Sequence, residues 1–396
     1  MKEIYLDHAS TTYVRDEVLG IMNKYFQDEY GNPGSFHTIG LRPKRAMAKA
    51  RELVRDIINA KRVEEIIFTG SGTESVNLAI KGITEKYDTG HIIISTIEHE
   101  AVTETLYYLE HTKGWDVTKV PVDKYGLVNP KDVEDAIRPD TKLVTIMYAN
   151  NEIGTIQPIE QIGKICRKKK VLFHTDACQA GGVLDLDVEK LNVDMMTLNG
   201  SKIYGPKGIG MLYKKNTVKL VPLIHGGGQE FGYRSGTQNV AFIMGFAEAL
   251  RLGQSEREKE NKRLIKLRTM LEVGILRSID KTFLNGHPVK RLPNNANITI
   301  SDIEGEAMML YLNEFGICSS CTSLTLEPSH VILAMGLPYE VAHGTLRFTL
   351  GRKTTKKDVE KIIEVLPGIV ETLRKISPVN VNMDKLEIQG EKVYAN

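Results

Sequence analysis

Between residues 65 and 198, short apolar runs alternate with longer segments of helical periodicity. The runs 65–69, 92–95, 143–148, 171–175 and 195–198 are dominated by Ile, Val, Leu, Phe and Met and end at polar or glycine residues, as buried strands do. Segments 75–86 and 159–169 between them read as helices. Parallel neighbours need long crossovers, so this alternation predicts an α/β fold, a mostly parallel sheet covered by helices on both faces. Such sheets bind ligands beyond the carboxyl ends of their strands. The search for chemistry therefore narrows to the residues that follow each run.

Beyond residue 248 the pattern changes. A charge-rich helical stretch, 248–272, reads as a solvated face with mixed ion pairs. It leads to strand-like 296–300 and 346–350, helical 304–315 and a last helix over 356–376, which predicts a second, smaller domain. The run Arg167 to Lys170 suits the negative end of a helix dipole better than a nucleic-acid surface. A formal charge of +2 argues against nucleic acid as the main partner. No apolar run approaches the ~20 residues of a membrane span. Four cysteines in 396 residues do not make a disulfide framework, so a reducing cytoplasm is the expected compartment.

Three sets of residues carry chemistry. Lys202 follows the run 195–198 at the turn Asn199-Gly200-Ser201-Lys202. A lysine partly desolvated at a strand end can lose its proton and form a Schiff base with an aldehyde cofactor. Gly70-Ser71-Gly72-Thr73-Glu74 joins strand 65–69 to a helix N-terminus, where N–H groups and the dipole favour an anion such as phosphate. The other reading of this turn is a plain helix start capped by Thr73. It has neither the Walker lysine nor dinucleotide glycine spacing. Asp176 stands at the end of 171–175, where a buried carboxylate needs a cation such as a protonated pyridine nitrogen. Gln179 could bond a ring hydroxyl, and His99, after 92–95, could stack on the ring and move protons. Alone, each is more commonly a cap or a satisfied polar residue. Together on one sheet edge they make the set that pyridoxal 5'-phosphate (PLP) requires.

These residues resemble one family from Tyr5 to about Arg352, the cysteine desulfurases of the NifS/IscS type. These are PLP enzymes of fold type I within the class-V aminotransferases. The resemblance is carried by Asp7-His8-Ala9-Ser10-Thr11-Thr12, Gly31-Asn32-Pro33, Glu98-His99, Asn150-Asn151-Glu152-Ile153-Gly154 and Asp176-Ala177-Cys178-Gln179. It continues through Lys202-Ile203-Tyr204-Gly205-Pro206, Arg234-Ser235-Gly236-Thr237, Cys321-Thr322-Ser323, Leu326-Glu327-Pro328-Ser329 and Arg347 to Arg352. It implies a large PLP-binding domain over 15–255 with a mostly parallel, mixed sheet. Residues 1–14 and 256–396 would form a smaller α+β domain carrying a cysteine loop. Lys202 would hold the cofactor and move the substrate's α-proton. His99 would stack on the ring, Asp176 would pair with the pyridinium and Gln179 would bond the ring oxygen. Gly72, Thr73, Asn199 and Ser201 would hold phosphate, with Thr237 contributed by the partner of a homodimer. Asn150 and Arg347 would grip the carboxylate of L-cysteine, helped by Asn32. Cys321, in a polar loop that resembles the long-loop group, would take the sulfur as a persulfide and pass it to a scaffold protein. Iron–sulfur cluster assembly and tRNA thiolation are both open as destinations. No metal ligand set is expected.

Three positions depart from that pattern. The family commonly has Ser-Gly-His-Lys where this chain has Asn199-Gly200-Ser201-Lys202. Losing the imidazole predicts weaker PLP binding. Cys318 makes a C-x-x-C with Cys321. It is either a neutral substitution or a thiol of lowered pKa that attacks the Cys321 persulfide and releases sulfide; a zinc site is a weaker option. Other fold-type-I enzymes, a selenocysteine lyase or an aminotransferase, share the ring-holding residues. Cys321 favours the desulfurase, and Lys202 argues against a non-catalytic sulfur carrier or cluster scaffold. The stretch 377–396 reads as an acceptor-docking tail or as disordered.

Overall fold

The computed structural model describes residues 3–321 and 327–377. Its strands, in chain order, are β1 (Ile4–Tyr5), β2 (Ile66–Thr69), β3 (His91–Ser95), β4 (Asp116–Val120), β5 (Thr141–Thr145), β6 (Leu172–Asp176), β7 (Met195–Asn199) and β8 (Gly210–Lys214). Further on come β9 (Thr282–Asn285), β10 (Asn295–Ile300), β11 (Ile317–Cys318), β12 (Ser320–Cys321) and β13 (Thr345–Thr349). Seven of them form one sheet in the order β2-β8-β7-β6-β5-β3-β4. Only β8 runs against the rest, pairing antiparallel with β7 and β2. Its neighbours β7, β6, β5, β3 and β4 are parallel, as the alternation predicts. The strand β4, half-exposed at the sheet edge, gives no apolar run and escapes the sequence reading.

Both faces of this sheet are buried. Val144, Phe173 and Met196 face one apolar core, and Ile92, Ile94, Leu143 and Leu212 face another on the opposite side. A smaller antiparallel sheet, β12-β13-β10-β9, packs its own core of Ile298, Leu346, Phe348 and residues of the helix Lys356–Ile376. The helix Val240–Ser278 serves both: Phe246 to Leu252 belong to the large-sheet core and Leu264 to Ile275 to the small one. The boundary expected at residues 255/256 falls between Leu252 and Leu264. No described helix is long and apolar enough to cross a membrane.

The N-terminal segment ties the two parts together. β1 pairs parallel with β11, and Asp7 bridges to Thr349 at the end of β13. Residues 7–10 thereby lie against the carboxyl edge of the large sheet, where the site is.

Candidate active site

Five turns at the carboxyl ends of β2, β3, β5, β6 and β7 converge on one cleft of about 650 Å³, whose walls include Thr73, His99, Asp176, Lys202, Cys321 and Arg347. The small sheet closes it from the other side through β12 and β13. Residues spread over the whole sequence thus meet because every crossover returns to the same sheet edge.

Lys202 ends a 3₁₀ turn after β7. Its Nζ donates to the Ala9 carbonyl at 2.8 Å and also to the Ser10 carbonyl. Burial pushes the amine below the usual lysine range, and the nearby Arg347 charge acts the same way, while Cys178, Asp7 and Asp176 oppose it. Gln179 donates its Nε2 to the same Ala9 carbonyl at 3.0 Å. The side chain expected to bond a ring oxygen therefore spends one donor on residues 7–10.

At the anion turn the helix begins at Gly72, and Ser71 rather than Thr73 is its cap, its Oγ accepting from Glu74 N at 3.0 Å. Thr73 keeps its hydroxyl for the cleft, which it lines with Gly72 and Asn199. Asn199 turns its Oδ1 to the backbone N–H and the hydroxyl of Ser201, both at 3.2 Å. That leaves the amide nitrogen on the Gly72 side, where it would lie 3.3 Å from a Cβ at Gly72. Ser201 itself is not a wall residue: its hydroxyl orients Asn199 rather than facing the cleft.

Asp176 ends β6, is buried, and accepts from Cys178 N at 2.9 Å. The Cys178 thiol beside it is held well above the usual thiol range by burial, the Asp176 charge and its hydrogen bond to Asp176. Beneath it lies Glu98, fully buried, bonded by the Ser95 hydroxyl at 2.5 Å and by Met147 N. Burial raises this carboxyl to about 8, with the Asp176 charge adding to it and the two hydrogen bonds opposing. Sequence reasoning passed over Glu98, because nothing in a lone Glu before His99 signals complete burial. His99 caps the helix Glu100–Lys113, its Nδ1 accepting from Ala101 N at 3.0 Å. The proton therefore sits on Nε2, the other ring nitrogen.

Asn150, expected to touch substrate, is not a wall residue. Its Nδ2 donates to Ile97 O and Met147 Sδ, and its Oδ1 accepts from Glu152 N and Ile153 N. All its capacity goes into folding the turn after β5, and the next residue, Asn151, lines the cleft. Asn32 and Thr237 are exposed and outside this cleft; Asn32 closes its own turn onto Gly34 N. Arg347, buried on β13, donates Nη2 to Asp7 Oδ1 at 2.8 Å and to Ser10 Oγ at 2.7 Å, and Nη1 to Asn151 O at 3.3 Å. Its Nε is buried without a hydrogen-bond partner among the described residues.

Cys321 is not in a loop but on β12, paired with Leu346 of β13 and buried at the cleft wall. Its strand neighbour Ser320 pairs with Arg347, so the Cys321 thiol and the guanidinium stand on adjacent strands. The rest of the loop expected to carry it, including Thr322, Ser323 and Leu326, lies at 322–326, outside the described residues, as does nearly all of the tail. Cys318 sits in the other short sheet, paired with Tyr5, and burial, Glu3 and Asp7 raise its thiol rather than lower it. No His/Cys/Asp/Glu cluster with metal-binding geometry occurs among the described residues.

A lysine desolvated beside a carboxylate, an imidazole and a glycine-lined helix start, on the carboxyl edge of a seven-stranded mixed sheet, defines a fold-type-I PLP enzyme. The chain belongs to the class-V aminotransferase family, whose profile matches residues 4–362, and within it to the NifS/IscS-type cysteine desulfurases. Cysteine desulfurase IscS of Methanosarcina thermophila is 50% identical over 383 residues, 95% of this chain and 94% of that one. The enzyme of the same name from Clostridium botulinum (strain Hall) is 46% identical over 385 residues, covering 95% and 96%. A solved NifS-like protein matches with a TM-score of 0.89 at 38% identity, covering 94% of this chain and 100% of that one. SspA in complex with cysteine matches at 0.77 and 37% identity, covering 88% and 99%.

Proposed function

We propose that this chain is a PLP-dependent cysteine desulfurase that converts L-cysteine to L-alanine and retains the sulfur on Cys321. The carrying observation is that Lys202, Cys321 and Arg347 line the same cleft, with Arg347 on the strand paired to that of Cys321. The residues fit the cofactor. Gly72 and Thr73 bring the start of a helix to the cleft, the Asn199 amide nitrogen lies beside them, and Asp176 is a buried carboxylate on the same cleft. Bound there, PLP supplies an electron-withdrawing ring that stabilises charge developing at the substrate's α-carbon.

The chain's own residues do the rest. Lys202, with its amine driven toward the neutral form by burial, attaches the cofactor and moves the α-proton. His99 presents Nε2 as a proton donor at the cleft. Arg347, whose Nε has no hydrogen-bond partner among the described residues, takes the α-carboxylate, and Asn151 rather than Asn150 assists. Cys321 Sγ takes the substrate's sulfur: the substrate's C–S bond breaks, an S–S bond forms, and the proton of the thiol ends on alanine. Atoms balance without an added oxidant, since cysteine and a thiol give alanine and a persulfide.

Two further elements complete the reading. Thr237 and Asn32 are exposed, as are the aromatic Tyr30 and Phe36 beside Asn32 in the sequence, which suits a homodimer in which Thr237 serves the partner's phosphate site. The sulfur then goes to an acceptor, a scaffold protein in the cytoplasm. Single-turnover assay with L-cysteine on wild type and Cys321→Ser tests the core proposal. Wild type should bind PLP, release one alanine and carry a persulfide, and Cys321→Ser should shift its spectrum and stall. Equal alanine from both would move the reading to a lyase.

A further inference from the structure

Arg347 is already occupied by a carboxylate of its own chain. The Nη2 group lies on both edges by which a guanidinium can grip a carboxylate in bidentate fashion, the Nε–Nη2 edge and the Nη1–Nη2 edge. It donates to both Asp7 Oδ1 at 2.8 Å and Ser10 Oγ at 2.7 Å. Ser10 Oγ in turn donates to Asp7 Oδ1 at 2.8 Å, so the three groups close a ring. The pair is only partly withdrawn from water, with the Asp7 side chain 22% and the Arg347 side chain 8% exposed. Asp7 therefore has somewhere to go. Meanwhile Nε, on the same edge as Nη2, is buried without a hydrogen-bond partner among the described residues.

We infer that Asp7 is a built-in competitor for the substrate's carboxylate and sets the affinity of Arg347 for it, with Ser10 as its second hand. An α-carboxylate that takes Nε and Nη2 together satisfies the orphan donor and displaces Asp7 Oδ1 from Nη2. The inference takes the identity of the substrate from the desulfurase reading and adds a residue that determines how tightly it binds. It has a consequence for selectivity. Displacing Asp7 is worthwhile only for a ligand that brings a carboxylate of its own, so amines and thiols without one leave the ring intact. The same segment holds Lys202 through the Ala9 and Ser10 carbonyls, so residues 7–10 contact both Lys202 and Arg347.

The test compares wild-type and Asp7→Asn holoenzyme by titrating the cofactor absorbance with L-cysteine, L-alanine and cysteamine, which has the amine and thiol but no carboxylate. Asparagine keeps the shape and the acceptor oxygen but removes the charge. The dissociation constants for L-cysteine and L-alanine should fall about three- to tenfold, with that for cysteamine unchanged. Ser10→Ala, which removes one of the two Nη2 acceptors, should move them the same way by less, and it decides the matter if Asp7→Asn does not fold. Unchanged or weaker amino-acid binding in the variants, or an equal change for cysteamine, overturns the inference. Alanine release is assayed separately. Wild-type enzyme that responds spectrally to L-cysteine but releases no alanine sinks the desulfurase reading, while the affinity comparison still judges Asp7.

Discussion

Gly72 faces Cys178 across the start of the anion turn so closely that a Cβ on Gly72 would stand 2.8 Å from Cys178 Sγ and 3.3 Å from Asn199 Cβ. The glycine is required by what packs against it, not by its backbone angle. Gly72→Ala should push the Asn199 amide and the thiol apart, weaken PLP binding by about tenfold and cost ~1–3 kcal/mol of stability. Cofactor titration by fluorescence and thermal unfolding of the cofactor-free chain measure the two effects. Adding Cys178→Ala should recover most of the stability, because the worst contact is with that sulfur. If the double variant is no better than Gly72→Ala, the sulfur is not what excludes the methyl group.

Much of this site was legible in the sequence because Thr73, His99, Asp176 and Lys202 each follow an apolar run. The runs 65–69 and 195–198 place Thr73 and Lys202 within a residue or two of their observed turns, since β-branched burial and helix starts are local signals. What failed was the choice between neighbours. Asn150 and Asn151 are equivalent as letters; only the fold shows that Asn150 spends its amide on Ile97, Glu152 and Ile153. Cys321 looked like a loop residue because Ser319 and Ser320 are small and polar. Its pairing with Leu346 is a long-range contact that no local pattern announces. The roles of Asp7 and Ser10 were hidden for the same reason, since they depend on an arginine some 340 positions away.

Cys318 should be a bystander to sulfur release. Its thiol is raised by burial and by the Glu3 and Asp7 charges, so it is the wrong protonation state to attack a persulfide at neutral pH. It also pairs with β1 in a different sheet from Cys321. Persulfide lifetime on Cys321, followed by mass spectrometry without reductant, should be the same in wild type and Cys318→Ser. A lifetime several-fold longer in the variant would restore the relay from Cys321 to Cys318.

Glu98 makes stability fall with rising pH. Its carboxyl, ordinarily near 4.5, is raised to about 8, so the folded chain keeps a proton that the unfolded chain releases. The contribution is fully present below about 4.5 and is lost as pH climbs through about 8. Glu98→Gln removes this dependence. Across about pH 5 to 8 its melting temperature should fall less steeply than wild type, meeting wild type at the acid end and exceeding it at the alkaline end. Parallel curves for the two proteins would mean that Glu98 is ionised in the fold throughout.

A buried ion pair lies outside the cleft wall. Arg51 meets Glu230 in a two-pronged contact at 2.7 and 2.8 Å, with the side chains 6% and 2% exposed, and Glu230 also accepts from Phe68 N. The guanidinium lies 4.8 Å from the Phe68 ring and 4.9 Å from the Phe231 ring. Glu230 and Phe231 hold positive φ values of 49° and 57°, which this pair helps to enforce. The same segment leads to Arg234, whose Nε bonds Glu74 in the first turn of the anion helix, and on to Thr237. Arg51→Ala strands a buried carboxylate, so urea unfolding should show a loss of ~3–5 kcal/mol, whereas Arg51→Met with Glu230→Leu should lose much less. PLP affinity should drop in Arg51→Ala, because the Glu74 contact is supported from the Glu230 side. If stability falls but PLP affinity does not, the segment at 230–234 is a structural brace that leaves the anion turn to stand unaided.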